Sequence, residues 1–269
     1  MIQRKCSVVI NTCDKYEVAW YPFFELAKKY WSECPYPFYL NTECKGFSYA
    51  GLDVKVINYE ITSLPANTPW GKRLKSCLKV IPSDYVILLL EDFFFQSPVN
   101  DAEIARCIKK MEEHPEISAI YFKQIYGYHQ VYEEDPAYFI MRESQSYKCN
   151  LQAGLWRKSD LMAFVEDDDS PWSLEQEGAN RTGDKVFLCS RKGTHSKTEG
   201  CVFPYLTERR KGYGIWAGKW LWNNDGLFRK NGIEVKNVDL PRFTRYDMAK
   251  YYLDRIVQEI KKNINCKKE

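Results

Sequence analysis

Apolar segments alternate with amphipathic segments through the first half of the chain. Short apolar runs predict buried strands at residues 6–10, 38–40, 54–57, 85–90 and 118–122. Apolar residues that recur at helical spacing predict helices over residues 20–31, 70–81 and 104–111. This alternation is typical of an α/β fold in which helices flank a mostly parallel central sheet.

The pattern is less regular after Lys123. It still predicts strands at residues 138–141 and 186–189, and an amphipathic helix over 253–260 that is followed by Lys261 and Lys262. We find no internal repeat, low-complexity tract or clear linker, so we expect one domain over residues 1–269. The basic end of the last helix complements the helix dipole if the helix packs on the protein, and contact with a membrane surface is the second interpretation.

Two adjacent carboxylates, Glu91 and Asp92, interrupt an apolar run that extends from Tyr85 to Phe95. A charge is costly where a strand leaves a buried core, unless it is hydrogen-bonded, paired or bound to a metal. Ligands of open α/β sheets bind at the carboxyl ends of strands, where these two residues are expected. The pair therefore marks a candidate site, although capping a turn or forming a salt bridge would also explain it.

Composition narrows the class of protein. The chain has 269 residues, of which 45% are hydrophobic, and its formal charge of +3 is too small to indicate nucleic-acid binding. No segment is long and apolar enough for a transmembrane helix, and we expect no secretory signal. Ten cysteines are scattered without a Cys-x-x-Cys pair, so we interpret them as free thiols of a cytoplasmic protein rather than as a disulfide or zinc framework.

The order of these features resembles the glycosyltransferase GT-A superfamily. The resemblance rests on a first strand followed by the polar loop at Thr12, Cys13 and Asp14, and on a long apolar strand ending in Glu91 and Asp92. It implies a Rossmann-like GT-A fold, a nucleotide-diphosphate sugar donor and a divalent cation, Mn or Mg. The superfamily binds this metal through an Asp-x-Asp motif or a variant of it.

The resemblance also assigns residues to the metal and the donor. Asp92 is the better metal ligand, and Glu91 is a second ligand or a ribose contact, although Leu90 stands where the motif has its first Asp. The loop after the first strand contacts the nucleotide, which assigns Thr12 and Asp14 to the donor. Arg73 is the candidate for the diphosphate and His195 for another metal ligand. Lys219, in a late loop that contains glycines, is a candidate for a phosphate contact. Arg73 on a solvated surface, Lys219 in a surface packing segment and His195 as an ordinary loop residue are the alternatives.

Residues 150–157 look like the acceptor-side segment of bacterial polysaccharide glycosyltransferases, which assigns Trp156 to the acceptor. An inverting transfer needs a carboxylate as general base, and Glu175 is the first candidate and Glu177 the second. Trp172 beside them is suited to stack on an acceptor sugar, although a buried tryptophan is the commoner case. If Ser170 or Ser173 caps a helix here, the two acids are ordinary first-turn residues.

The resulting hypothesis is a metal-dependent, inverting glycosyltransferase of the hexosyltransferase class. It would bind the donor through residues 1–123 and a glycan or lipid-linked glycan acceptor through residues 124–269, in the synthesis of a bacterial surface polysaccharide such as capsule or lipopolysaccharide. We expect it in the cytoplasm, with peripheral contact at the inner membrane face through the C-terminal helix. Three alternatives stay open: a retaining transferase, a non-catalytic nucleotide-sugar or glycan binding module, and a sugar nucleotidyltransferase. The last needs a glycine-rich phosphate loop, and residues 11–16 contain no glycine.

Overall fold

The computed structural model describes residues 5–125, 127, 129–142, 147–192, 201–206, 214–234 and 240–265. The chain divides into two compact units, Met1–Thr207 and Glu208–Glu269. The predicted division of binding roles at residue 123 concerns function, and it stays a prediction.

A nine-stranded sheet is the centre of the first unit as described. Its strands, in chain order, are β1 (Cys6–Asn11), β2 (Phe38–Asn41), β3 (Val54–Ile57), β4 (Tyr85–Leu90), β5 (Ile117–Tyr121), β6 (His129–Val131), β7 (Tyr138–Met141), β8 (Gly154–Arg157) and β9 (Val186–Ser190). Its helices are α1 (Trp20–Tyr30), α2 (Tyr59–Thr62), α3 (Trp70–Val80), α4 (Asp101–Glu113), α5 (Lys158–Phe164) and α6 (Pro171–Glu177). Short 3-10 helices cover Asp14–Ala19 and Gly178–Arg181.

The strands lie in the order β3-β2-β1-β4-β8-β5-β9-β7-β6. Strands β1, β2, β3 and β4 are mutually parallel, and β5 is parallel to β9. Strand β8 lies antiparallel between β4 and β5, so these two strands point the same way. Following the pairings outward, seven of the nine strands share one direction, and only β7 and β8 oppose it. The predicted α/β class with a mostly parallel central sheet is confirmed.

Both faces of the sheet are covered, which explains why its central strands are apolar throughout. All six residues of β1 are buried, as are the first five residues of β4. On one face, α3, α5 and α6 pack on the sheet through a shared apolar cluster that includes Leu74, Trp156 and Leu174. On the other face, Trp31 beside α1 contacts Phe95 and Phe203 with ring centroids 6.1 and 5.7 Å apart. The unit therefore has three layers.

The second unit contains a hairpin of β10 (Ile215–Trp216) and β11 (Lys219–Trp220), together with α7 (Asn223–Asn231) and α8 (Arg245–Asn265). Both residues of the hairpin turn have positive φ, 50° at Ala217 and 73° at Gly218, as the common two-residue hairpin turn requires. The predicted C-terminal helix is present and begins eight residues earlier than expected. None of the helices in the described part of the chain has the length and apolar composition needed to cross a membrane.

Candidate functional site

The carboxyl ends of β1, β2 and β4 meet at one edge of the sheet. Asn11, the last residue of β1, pairs with Leu90 of β4 on one side and with Asn41 of β2 on the other. From β1 the chain continues to β2 and β3 on one side of β1, and it then returns to β4 on the other side. This reversal of strand order makes the edge a topological switch point. Glu91 and Asp92 follow β4 directly, so they emerge at the edge where the sequence places them.

Buried polar side chains join the ends of β1 and β2 at this edge. The side-chain amide of Asn41 donates to Oδ1 of Asn11 at 2.6 Å. Nη1 of Arg73 donates to the carbonyl oxygen of Thr12 at 2.5 Å and lies 3.5 Å from that of Asn41. Because Arg73 lies near the start of α3, these bonds fix its positive charge beside the strand ends. Arg73 is buried, which does not support the alternative of a solvated arginine.

The carboxylate pair lies at the same sheet edge, and Glu91 and Asp92 are each only 6% exposed. Burial and then the neighbouring charge of Asp92 raise the pKa of Glu91, while the Thr12 hydroxyl and the charge of Arg73 act to lower it. Burial also raises the pKa of Tyr16, and the charges of Cys13, Glu91 and Asp92 add to this rise. The two carboxyl groups therefore lie together where water is largely excluded, and the raised pKa of Glu91 favours its protonated form.

A divalent cation fits such a pair only with help from a ligand. Within the described residues, no group of three or more His, Cys, Asp or Glu side chains is arranged to hold a metal ion. Mg²⁺ is commonly held by one or two protein carboxylates, with waters and substrate phosphates completing its coordination. Glu91 and Asp92 fit that donor set, because both are hard oxygen ligands at one strand end.

Asp14, predicted to contact the nucleotide, has its carboxylate directed at backbone groups of the protein. Its oxygens accept from the N–H groups of Glu43, Cys44 and Lys45 at 3.0 to 3.4 Å, and its own N–H donates to Glu43. These bonds tie the loop after β1 to the loop after β2. Asp14 therefore holds these two loops together, and this arrangement does not favour direct contact with a ligand.

Glu175 lies on α6, and its Oε1 accepts from the backbone N–H of Leu151 at 3.0 Å. Leu151 lies three residues before β8, the strand that pairs with β4. Burial raises the pKa of Glu175, and the bond from Leu151 partly offsets this rise. A buried carboxylate with a raised pKa is suited to accept a proton near neutral pH.

The N-terminus of α6 is tightly specified. Ser170 accepts from the N–H of Ser173, whose hydroxyl accepts from the N–H of Ser170, and Pro171 occupies the first helical position. Ser170 is therefore a cap, as one alternative supposed. Glu175 is nevertheless the fifth residue of the helix, so it lies beyond the first turn and does not serve the helix dipole there.

Asp169 anchors α6 to the rest of the first unit. Burial acts to raise the pKa of Asp169, but bonds from Arg181, the Glu166 N–H and the Ser173 hydroxyl outweigh it, and the pKa is lowered. The contacts with Arg181 are 2.5 and 3.1 Å long. The carbonyl of Asp169 also accepts from the N–H of Gly71 at 2.9 Å. The turn before α6 thus sits on the N-terminus of α3, the helix that carries Arg73.

The other acceptor-side candidates differ in exposure. Trp172 is 70% exposed, so it does not fit the alternative of a buried tryptophan. Trp156 has no exposed surface and packs edge-on to Tyr121 and Phe187 in the core, which is not where an acceptor sugar is contacted. Glu177 is exposed and lies 3.9 Å from Arg181, the distance of a loose surface ion pair.

Two predicted residues lie outside the first unit's described site. Lys219 belongs to β11 of the second unit, and its ammonium lies 2.5 Å from the carboxylate of Asp247. His195 falls outside the described residues.

Sequence reasoning missed three residues near the carboxylate pair and the strand ends: Asn11, Asn41 and Tyr16. A signal for the first two exists, because each is a polar residue that directly follows an apolar run of strand character. Tyr16 carries no such signal, since it lies near the carboxylates only through the 3-10 helix that follows β1.

Comparisons with known proteins give distant structural similarities. Neither a protein-family model nor a curated protein matches the chain. Among solved structures, the chain is similar to residues 1–349 of S. aureus TarS in complex with UDP-GlcNAc, at 14% identity and a TM-score of 0.45, over 80% of this chain and 62% of that one. It is also similar to glucosyl-3-phosphoglycerate synthase from Mycobacterium tuberculosis in complex with Mn²⁺ and UDP-glucose, at 13% and 0.30, over 45% and 43%.

A third similar structure is the bifunctional IspDF from Campylobacter jejuni, at 12% identity and a TM-score of 0.36, over 66% of this chain and 47% of that one. The chain spans 62% or less of the length of each of the three structures. TarS and the synthase are thus among the solved structures to which the chain is similar, each at a TM-score below 0.5. The identities are low, and the chemistry of the site is argued from the residues of this chain.

Proposed function

We propose that the chain is a glycosyltransferase that moves a sugar from a nucleotide-diphosphate donor to a hydroxyl of a glycan acceptor, with inversion. One observation carries the proposal: a buried carboxylate pair and a buried arginine lie at the switch-point edge of one sheet, which fits a diphosphate with its cation. A separate buried carboxylate with a raised pKa, Glu175, is bound to the backbone before β8 and fits proton removal from an acceptor.

On the donor side, Glu91 and Asp92 would hold a divalent cation, Mn or Mg. When bound, such an ion neutralises diphosphate oxygens and stabilises the departing nucleoside diphosphate. Arg73 contributes a fixed positive charge at the ends of β1 and β2. The Thr12 carbonyl and the Asn41 carbonyl hold its guanidinium in place, so the charge is oriented before a donor arrives.

On the acceptor side, Glu175 is the proposed general base. The N–H of Leu151 orients Oε1, which leaves Oε2 to accept a proton from the attacking hydroxyl. The acceptor oxygen then forms a bond to the anomeric carbon while the bond from that carbon to the diphosphate oxygen breaks. The proton ends on Glu175 and the electron pair leaves with the nucleoside diphosphate. Trp172, exposed on the same helix, offers an apolar ring face for the acceptor sugar.

Calorimetry of UDP and GDP binding tests the donor side, with each nucleotide measured in Mn²⁺ and again in chelator. We expect one nucleotide to bind in Mn²⁺ and to lose most of its affinity in chelator. Affinity that is unchanged by chelator would contradict the cation assignment. Binding of neither nucleotide would contradict the choice of these two donor bases.

Replacing Glu175 by Gln tests the base. Turnover, measured as nucleoside diphosphate release from the donor identified above with a panel of glycan acceptors, should fall about 10²- to 10⁴-fold, while donor binding stays intact. Glu113→Gln is the matched control, because Glu113 is an exposed carboxylate on α4. If Glu175→Gln retains turnover and Glu177→Gln does not, Glu177 is the base. Donor binding without turnover by any variant or by the native chain would favour the binding-module alternative.

A further inference from the structure

The helix α8 of the second unit carries an apolar stripe that is open to solvent. Tyr246, Leu253 and Val257 are 76%, 62% and 48% exposed. Their spacing of seven and four residues places them on one side of a helix with 3.6 residues per turn. Lys250, which is also exposed, lies between them on that side. Large apolar side chains exposed in a row are unusual and indicate an interaction surface.

Another side of α8 packs against the hairpin of the second unit. The ring of Tyr251 lies 4.6 Å from the ring of Trp216, and the carboxylate of Asp247 is paired with Lys219 of β11. Asp247 and Tyr251 project about 100° and about 140° around the helix from Tyr246, away from the stripe. The second unit therefore holds the helix by one face and presents the other.

The charge of α8 indicates what kind of surface fits this stripe. The helix contains five basic residues, Arg245, Lys250, Arg255, Lys261 and Lys262, against three acidic ones, Asp247, Asp254 and Glu259. One of the acids, Asp247, is neutralised within the unit by Lys219. A helix with an apolar stripe and an excess of basic residues is typical of segments that lie in the headgroup region of an anionic bilayer. Pairing with a second copy would bring like charges together.

We propose that α8 docks the protein on an anionic lipid surface, with Tyr246, Leu253 and Val257 entering the bilayer interface. The apolar stripe supplies one part of the affinity and the basic residues supply the other. A single weak signal gives only marginal membrane binding, and the combination of apolar insertion with positive charge gives more. The inference does not depend on the proposed enzymatic function.

Sedimentation of the full chain with lipid vesicles tests this. We expect binding to vesicles of phosphatidylglycerol and phosphatidylcholine in equal parts, little binding to phosphatidylcholine alone, and loss of binding at about 1 M salt, where the Debye length falls to about 3 Å. The double variant Leu253→Glu with Val257→Glu should lower the partition coefficient at least about ten-fold. Lys261→Gln with Lys262→Gln should weaken binding and reduce its dependence on salt.

Ile61→Glu is the matched control, since Ile61 is a 56% exposed apolar residue of the first unit. It should bind vesicles as the native chain does. Circular dichroism of each variant confirms that it is folded before vesicles are added. The proposal is overturned if the native chain ignores anionic vesicles, or if the double glutamate variant binds them equally well. A dimer in sedimentation equilibrium that this variant dissociates would also overturn it, because a second copy would then cover the stripe.

Discussion

Gly71 is the residue at which the two sides of the proposed site are joined, and replacing it by Ala tests that junction. A Cβ added at Gly71 would lie 2.0 Å from the carbonyl oxygen of Glu166 and 3.1 Å from the Cβ of Asp169. Both obstacles belong to the turn that precedes α6. The first is backbone, so no side-chain rotation relieves it. The turn must move away from α3 by more than 1 Å to restore an ordinary van der Waals distance.

The expected cost follows from three contributions. Overpacking of a well-packed site costs about 1–3 kcal/mol. Displacing the turn also weakens the bonds from the N–H of Gly71 to Asp169 and from the N–H of Lys72 to Asp167, now 2.9 and 3.0 Å long. Each contributes about 0.5–1.5 kcal/mol. Alanine gains up to about 1 kcal/mol over glycine within a helix. We therefore expect Gly71→Ala to lower the free energy of unfolding by about 1–5 kcal/mol.

Urea denaturation of the full chain, followed by circular dichroism, measures this change. Gly46→Ala is the matched control, because nothing lies within 4 Å of a Cβ added at Gly46. That variant should stay within about 0.5 kcal/mol of the native chain. If Gly71→Ala is as stable as Gly46→Ala, the turn and α3 do not touch as described. The account of how α6 is held against α3 would then be wrong.

Two further predictions concern pH and the acceptor. Burial raises the pKa of Glu91 in the native state above its ordinary value of about 4.3. At a pH between the unfolded-state pKa and the native-state pKa, the native state therefore binds more protons than the unfolded state. In chelator, stability should therefore fall as pH rises through the native pKa, and Glu91→Gln should flatten this slope in thermal melts from about pH 5 to pH 9. An equal slope in both proteins would contradict the burial of Glu91. Trp172→Ala should leave stability within about 0.5 kcal/mol and raise the acceptor KM about ten-fold; a loss of stability instead would mean that Trp172 packs on the protein.

The elements that the sequence predicts well are short apolar runs with polar or turn residues on both sides. Residues 54–57 and 138–141 are strands with the predicted bounds, and the strand predicted to end in Glu91 and Asp92 covers Tyr85–Leu90. The helix predicted over 104–111 extends to Asp101–Glu113. Its polar ends carry no apolar periodicity, and its start is set by the Asn100 side chain, which accepts from the N–H of Glu103.

Strand β8 shows what local pattern cannot predict. Gly154–Arg157 has four residues, and its position depends on long-range pairings, with β4 across more than sixty residues of chain and with β5 across more than thirty. Close approach specifies part of it, since a Cβ at Gly154 would lie 2.9 Å from the Tyr121 ring. The position of β8 also explains why Trp156 is buried, since Trp156 lies on this strand between β4 and β5. The local sequence does not reveal that position, so it could not exclude the predicted contact of Trp156 with an acceptor.

The carboxylate pair illustrates how the site and the fold depend on each other. Buried charge is tolerated where something offsets it, and the raised pKa of Glu91 means that a proton provides part of that offset when no ligand is bound. In the proposed function a divalent cation takes the place of this proton. The two then compete for the same oxygens, so cation binding should strengthen as pH rises and should release a proton. Arg73 does not remove this competition, because its guanidinium is committed to the carbonyls of Thr12 and Asn41. The burial that makes the pair costly to the fold is thus also what would make its affinity for a cation depend on pH.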